Sequence, residues 1–127
     1  MPPFFYRYDQ GFLHWLYWTG KTVDFLTESD LDSLSGDDLA GAYDLVVYPG
    51  HSEYVTTHEY DAIERYRNLG GNLMFLSANN FFWHVDENGP VLTRTAQWRD
   101  LGRPEAALIG VQYLANDRGE QIGRAHV

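Results

Sequence analysis

The chain has 127 residues and a formal net charge of −9, and it contains no cysteine. That charge excludes a nucleic-acid backbone as partner, which needs clustered Lys and Arg, and the missing thiols exclude disulfides, thiolate metal sites and a cysteine nucleophile. Apolar residues at 44% and charged residues at 21% are ordinary for a globular chain long enough for one domain with a core.

Helical spacing comes first: Phe12, Trp15 and Leu16 stand at i, i+3 and i+4, and Gly20 fits a helix stop. Thr22–Thr27 alternates and predicts a short strand. Glu28–Asp38 is acidic and Ser-rich, which predicts a loop with one helical turn around Leu31 and Leu34. Its spacing lacks the glycine and terminal glutamate of a calcium-binding loop. Leu45–Tyr48 is an apolar run closed by Pro49-Gly50, as in parallel strands of an α/β sheet.

Thr56-Thr-His-Glu59 matches a capping box, with Glu59 placed to reach back to the Thr56 amide. Tyr60, Ile63, Tyr66 and Leu69 then share one helix face, which Gly70-Gly71 ends. His58 belongs to the exposed first turn. Asn72–Ser77 predicts another strand, so strand, helix and strand form a βαβ unit. Phe81–His84 reads equally as strand or short helix. Asp86–Pro90 predicts a turn, Val91–Ala96 an edge strand and Leu108–Tyr113 one more strand.

Aromatic content reaches 16%, which points to large core residues and to contacts with segments outside this stretch. No run approaches about 18 apolar residues and no secretory leader opens the chain, so no membrane partner is expected. The cytoplasm is the default compartment, and self-association is left open. Residues 122–127 match the in-frame translation of a common sequencing adapter. The expected organisation is therefore a partial, truncated domain over 1–121 and a non-native tail over 122–127.

Chemistry concentrates at His51-Ser-Glu-Tyr54, directly after the second predicted strand. Ligands of open α/β sheets bind beyond the carboxyl ends of the strands. Side chains two apart share a side in extended chain, so His51 and Glu53 suit a metal-ligand pair or an acid–base pair. A polar loop that merely leads into the next helix is the plainer reading. Asn79 and Asn80 close the next strand and should lie beside that loop, as turn residues or as groups that orient a carbonyl or a water. Arg103 and Glu105 form a surface pair, or Glu105 serves as a general base. Ser52 and Ser77 lack the surroundings of a serine nucleophile.

Taken in order, these segments resemble a known family. Phe12-Leu-His-Trp-Leu16, Asp24-Phe-Leu-Thr27 with Asp30-Leu31, and Pro49-Gly-His-Ser-Glu-Tyr54 are similar to the C-terminal region of N,N-dimethylformamidase large (beta) subunits. Gly70-Gly-Asn-Leu-Met-Phe-Leu76, Asn79-Asn-Phe-Phe-Trp83, and Trp98-Arg99 with Gly102-Arg-Pro-Glu105 continue the resemblance over residues 8–115. It implies a flavodoxin-like, class I glutamine amidotransferase-like three-layer α/β sandwich with a mostly parallel sheet, here without the amidotransferase cysteine.

The resemblance further implies an amidase-like metallohydrolase in which mononuclear iron, held by two tyrosines and a glutamate, activates water against a small amide. Glu53 matches the glutamate ligand, His51 and Asn79 match substrate- or water-orienting positions, and Glu105 matches the carboxylate base. The matching tyrosines lie upstream, so this stretch alone is not expected to retain iron or activity, and upstream segments of the same subunit are its expected partners. Two other readings stay open: a binding or assembly domain of the same fold without catalysis, and a glycosidase-like use of Glu53 with Glu105.

Overall fold

The computed structural model describes residues 9–114, so the 122–127 tail lies outside the described residues. Helix α1, Gln10–Thr19, stops on Gly20 at a φ of 64°, the left-handed cap that glycine adopts without steric cost. The strand expected at Thr22–Thr27 does not form; the segment is irregular and exposed. It lies across a cleft from the nearest sheet strand, and an alternating sequence becomes a strand only where an edge accepts it.

The helical turn expected around Leu31 and Leu34 is present, but the loop expected over the rest of Glu28–Asp38 is not: the segment forms two helices, α2 (Glu28–Ser33) and α3 (Gly36–Ala42). Each opens with a reciprocal capping box, Thr27 with Asp30 and Ser35 with Asp38. The Ser- and Asp-rich composition that reads as loop is therefore helix-capping chemistry used twice, with carboxylates at the positive helix ends.

Strand β1 (Leu45–Tyr48) and the short β2 (Tyr54–Val55) precede α4 (Thr57–Asn68). The Thr56 hydroxyl caps α4 by accepting from the Glu59 amide at 3.1 Å. The expected return bond from Glu59 is absent, because its side chain turns inward and is buried. Tyr60, Ile63 and Tyr66 are fully buried, whereas Leu69 sits past the last turn and is exposed. A Cβ on Gly71 would fall 2.3 Å from the Tyr66 ring, so only glycine lets the chain turn over that ring into β3 (Asn72–Phe75).

Strands β4 (Trp83–Asn88) and β5 (Val91–Gln97) form an antiparallel hairpin, followed by a 3-10 turn at Trp98–Leu101 and α5 (Glu105–Ile109). The ambiguous Phe81–His84 segment thus enters a strand at Trp83, and the turn expected over Asp86–Pro90 is confined to Gly89-Pro90. The strand expected at Leu108–Tyr113 is the end of α5 and irregular chain. Ala106, Ala107 and Leu108 favour helix, and Gly110, at a φ of 80°, ends it.

The fold is α/β with mixed pairing. β1 and β3 pair in parallel around α4, while β2 pairs in parallel with β4, and β5 forms the edge beyond β4. Phe81 lies at the centre of the core, its ring 5.6 Å from Tyr48, 5.8 Å from Tyr60 and 6.0 Å from Phe75, each edge-on. Trp98 closes the other side, 4.4 Å from Tyr60. Burial of these rings supplies most of the apolar driving force, at about 25 cal/mol per Å² removed from water. Among the described residues no helix is long and apolar enough to cross a membrane.

Candidate functional site

The two parallel pairings lie on one continuous path. Leu45 faces Asn72, and the same register persists to an isolated bridge between His51 and Ala78. Tyr54 then faces Trp83. Between those points Ser52 and Glu53 stand opposite Asn79, Asn80, Phe81 and Phe82, so one side carries extra chain. That extra chain is accommodated by positive φ angles of 54° at both Asn79 and Phe81. Asparagine tolerates this region, but an aromatic residue there is strained and must be held by its surroundings.

The holding contacts are specific. The Phe81 amide donates to the Ser52 carbonyl at 2.7 Å and the Trp83 amide to the Glu53 carbonyl at 2.8 Å. Ser52, itself buried, donates from Oγ to Asn80 Oδ1 at 2.8 Å. Ser77 Oγ donates to the same oxygen, and Asn80 Nδ2 donates to the Ser77 carbonyl at 3.1 Å. Sequence reasoning missed this network: it weighed both serines as nucleophiles and Asn80 as a cap, and no local pattern signals the pairing of residues 25 or 28 positions apart.

His51 and Glu53 are on the same side, as their spacing predicts, with Nδ1 and Oε2 3.7 Å apart and side-chain exposures of 36% and 20%. Both line a cleft of about 1090 Å³ that runs between β1 and the 22–26 segment. Phe12, Phe25 and Val46 give it an apolar wall, and its charged lining apart from His51 is acidic: Asp9, Asp24, Glu28 and Glu53. Asn79 follows the residue bridged to His51, as expected for adjacent turns. It is half-buried, and its amide makes no hydrogen bond to any described residue.

Glu105 is placed differently. It is 2% exposed, opens α5 and accepts from Arg99 Nη2, which also donates to the Tyr113 carbonyl at 2.8 Å. Its other carboxylate oxygen is buried without a hydrogen bond. Glu105 does not line the cleft with His51 and Glu53. The expected surface pair of Arg103 with Glu105 does not form. Arg103 instead binds Asp61 at 2.6 Å and Glu64 at 3.0 Å, and its guanidinium lies 3.9 Å above the Tyr60 ring.

A second acidic locus, invisible in the sequence, lies beneath β1. Glu59 is pushed up to about 8 by burial first and by the nearby Glu28 and Asp32 carboxylates second, with the Tyr48 phenol opposing the shift. Tyr48 is raised in turn, by its own burial and then by Glu59. Tyr48 thus faces Glu59, and Tyr54 is exposed. Glu53 offers one hard oxygen donor of the kind that suits a ferric ion. Among the described residues no group of three or more His, Cys, Asp or Glu is arranged to hold a metal, so Glu53 and His51 fit only as part of a metal centre.

Comparison with known proteins identifies the family of the chain. A family model described as "N,N-dimethylformamidase beta subunit-like, C-terminal" matches residues 2–126. The N,N-dimethylformamidase beta subunit of Paracoccus aminophilus is 39% identical over 77 residues, 61% of this chain and 10% of that protein. The beta subunit of the same name from an Alcaligenes species is 37% identical over 78 residues, again 61% of this chain and 10% of the relative. The matched region thus corresponds to about a tenth of the length of these relatives.

Proposed function

Since the chain belongs to the N,N-dimethylformamidase beta subunit-like C-terminal family, we propose that it contributes part of the active centre of a hydrolase acting on small amides. The observation that carries this reading is the convergence of His51 and Glu53, 3.7 Å apart, on the wall of a cleft. In this reading Glu53 is one ligand of a mononuclear iron whose remaining donors come from outside the described residues. When bound, the metal would polarise the amide carbonyl and lower the pKa of a water.

His51 holds that water or relays its proton, beside the Glu53 carboxylate. The Asn79 amide, uncommitted to the fold, donates an N–H to the carbonyl oxygen of the substrate. The apolar wall of Phe12, Phe25 and Val46 accepts an alkyl group and limits water. Glu105 is given no step, because its carboxylate is committed to Arg99. The same reading takes the α/β elements as part of a flavodoxin-like, amidotransferase-like sandwich completed by other segments of the subunit.

A second reading, a binding or assembly domain without catalysis, is favoured by the exposure of Trp15, Tyr17 and Trp18 at 53%, 84% and 83%. One experiment separates the two. The region is expressed alone and within a polypeptide of the relatives' full length, with and without Glu53→Ala, and iron content and hydrolysis of N,N-dimethylformamide are measured. Stoichiometric iron and hydrolysis only in the long form, both lost in Glu53→Ala, support the hydrolase. Hydrolysis indifferent to Glu53→Ala overturns it, and a stable assembly with no hydrolysis favours the binding domain.

A further inference from the structure

The chain must gain two residues on one strand between the His51–Ala78 bridge and the Tyr54–Trp83 pair. Nothing in a regular parallel ladder specifies where such an excess goes, and a slip of one residue would turn side chains to the opposite face. Here one amide side chain joins the two strands at the junction. We propose that Asn80 is the positioning residue of this site: its amide clamps Ser52 to Ser77 and thereby sets where His51, Glu53 and Asn79 stand relative to one another.

The geometry supports this in three ways. Asn80 Oδ1 accepts from both serine hydroxyls, and Nδ2 returns a bond to the Ser77 carbonyl at 3.1 Å, so both ends of the amide are used. Ser52 is held twice, by Asn80 through Oγ and by the Phe81 amide through its carbonyl at 2.7 Å. Its chain neighbours on either side are His51 and Glu53, so neither can shift along the strand without breaking these bonds. On the other strand Asn80 directly follows Asn79, whose left-handed φ of 54° is one that asparagine tolerates and its neighbours hold in place. A satisfied network of this kind, partly buried, favours one arrangement because alternatives leave polar groups unpaired.

The assignment rests on the amide-hydrolase reading for its consequence, though not for its geometry. The test therefore has two arms, with Asn80→Ala, Asn80→Asp and Ser77→Ala. In the first, backbone NMR of this chain follows the Asn79 amide–Hα coupling and the His51 ring signals. Asn80→Ala is expected to lose the left-handed signature of Asn79 and shift the His51 ring. Asn80→Asp, which keeps the acceptor for Ser52 but loses the donor to Ser77, is expected to fall between, and Ser77→Ala to change least.

In the second arm the same variants are placed in the full-length subunit. Asn80→Ala is expected to lower kcat on the order of 10-fold or more, the scale of a small misplacement, with KM within about twofold. Asn80→Asp should recover part of it. Unchanged Asn79 and His51 signals in Asn80→Ala would overturn the proposal, as would an altered conformation with unchanged kcat. If the unmodified subunit hydrolyses no amide, the hydrolase reading fails separately, and the NMR arm alone decides whether Asn80 sets the conformation.

Discussion

Glu59, three residues into helix α4, is buried against Tyr48 at the end of β1, the strand that leads to His51. Two acidic hydroxyl-bearing groups therefore face each other in the core, with Glu28 and Asp32 close by. Burial and like charge both disfavour the ionised carboxylate.

Stability should accordingly depend on pH through Glu59. Its carboxyl is raised from 4.5 to about 8 in the folded chain. The folded state then holds a proton that the unfolded state releases, so the contribution is fully present below 4.5 and is lost as pH rises through 8. Thermal melts of the parent and Glu59→Gln between about pH 5 and 9 check this. The parent is expected to lose stability relative to the glutamine variant as pH rises, and parallel curves would refute the protonated core carboxyl.

Phe81 combines full burial with a φ of 54°. Phe81→Ala should cost about 3–5 kcal/mol, the range for deleting a core aromatic. At an ordinary buried site glycine is worse than alanine by about 0.5–1 kcal/mol. Here Phe81→Gly should be at least as stable as Phe81→Ala, because glycine alone is free of the left-handed penalty. Denaturant unfolding of the two variants, compared at equal slope, reads the difference.

The Arg99–Glu105 pair is expected to act on stability. Glu105 is 2% exposed and Arg99 retains 24% side-chain exposure. Removing one partner strands the other, so Arg99→Ala should cost near the lower end of about 3–5 kcal/mol. Glu105→Gln, which keeps the shape and an acceptor, should cost less. Urea melts of both give the order, and equal costs would mean that charge pairing is not what holds α5.

Gly36 tests the packing of α3 on α4. A Cβ there would lie 2.5 Å from the Ala62 carbonyl oxygen and from Arg65 Cβ. Gly36→Ala should therefore destabilise by about 1–3 kcal/mol as the helices separate, although alanine normally favours helix. A melting temperature equal to or above the parent's would show that the two helices yield freely.

Much of the α/β pattern was legible in the residues. Leu45–Tyr48, the capped helix before Gly70-Gly71 and the strand after it could be read from local periodicity and end signals, and all three are present. Thr22–Thr27 and Leu108–Tyr113 could not, because alternation states what a segment tolerates and not whether an edge is available. Glu28–Asp38 misled in the other direction, since serine and aspartate serve loops and helix caps with the same side-chain bonds.

His51 and Glu53 illustrate how far local rules reach: a separation of two in extended chain puts their side chains on one side, where they lie 3.7 Å apart. Glu105 shows where those rules stop. Its residue type fits a base, and only the structure shows it buried and paired with Arg99, away from the His51–Glu53 cleft. The sequence by itself determined the family, through the resemblance of its motifs, and the strand–helix–strand order and the polar groups after β1, which follow from spacing along one chain. Only tertiary structure decided that Ser52, Ser77 and Asn80 meet, that Asn79 and Phe81 bend the wrong way and that Glu59 turns inward. Each depends on partners brought together by burial, whose free energy outweighs the local preference of any single residue.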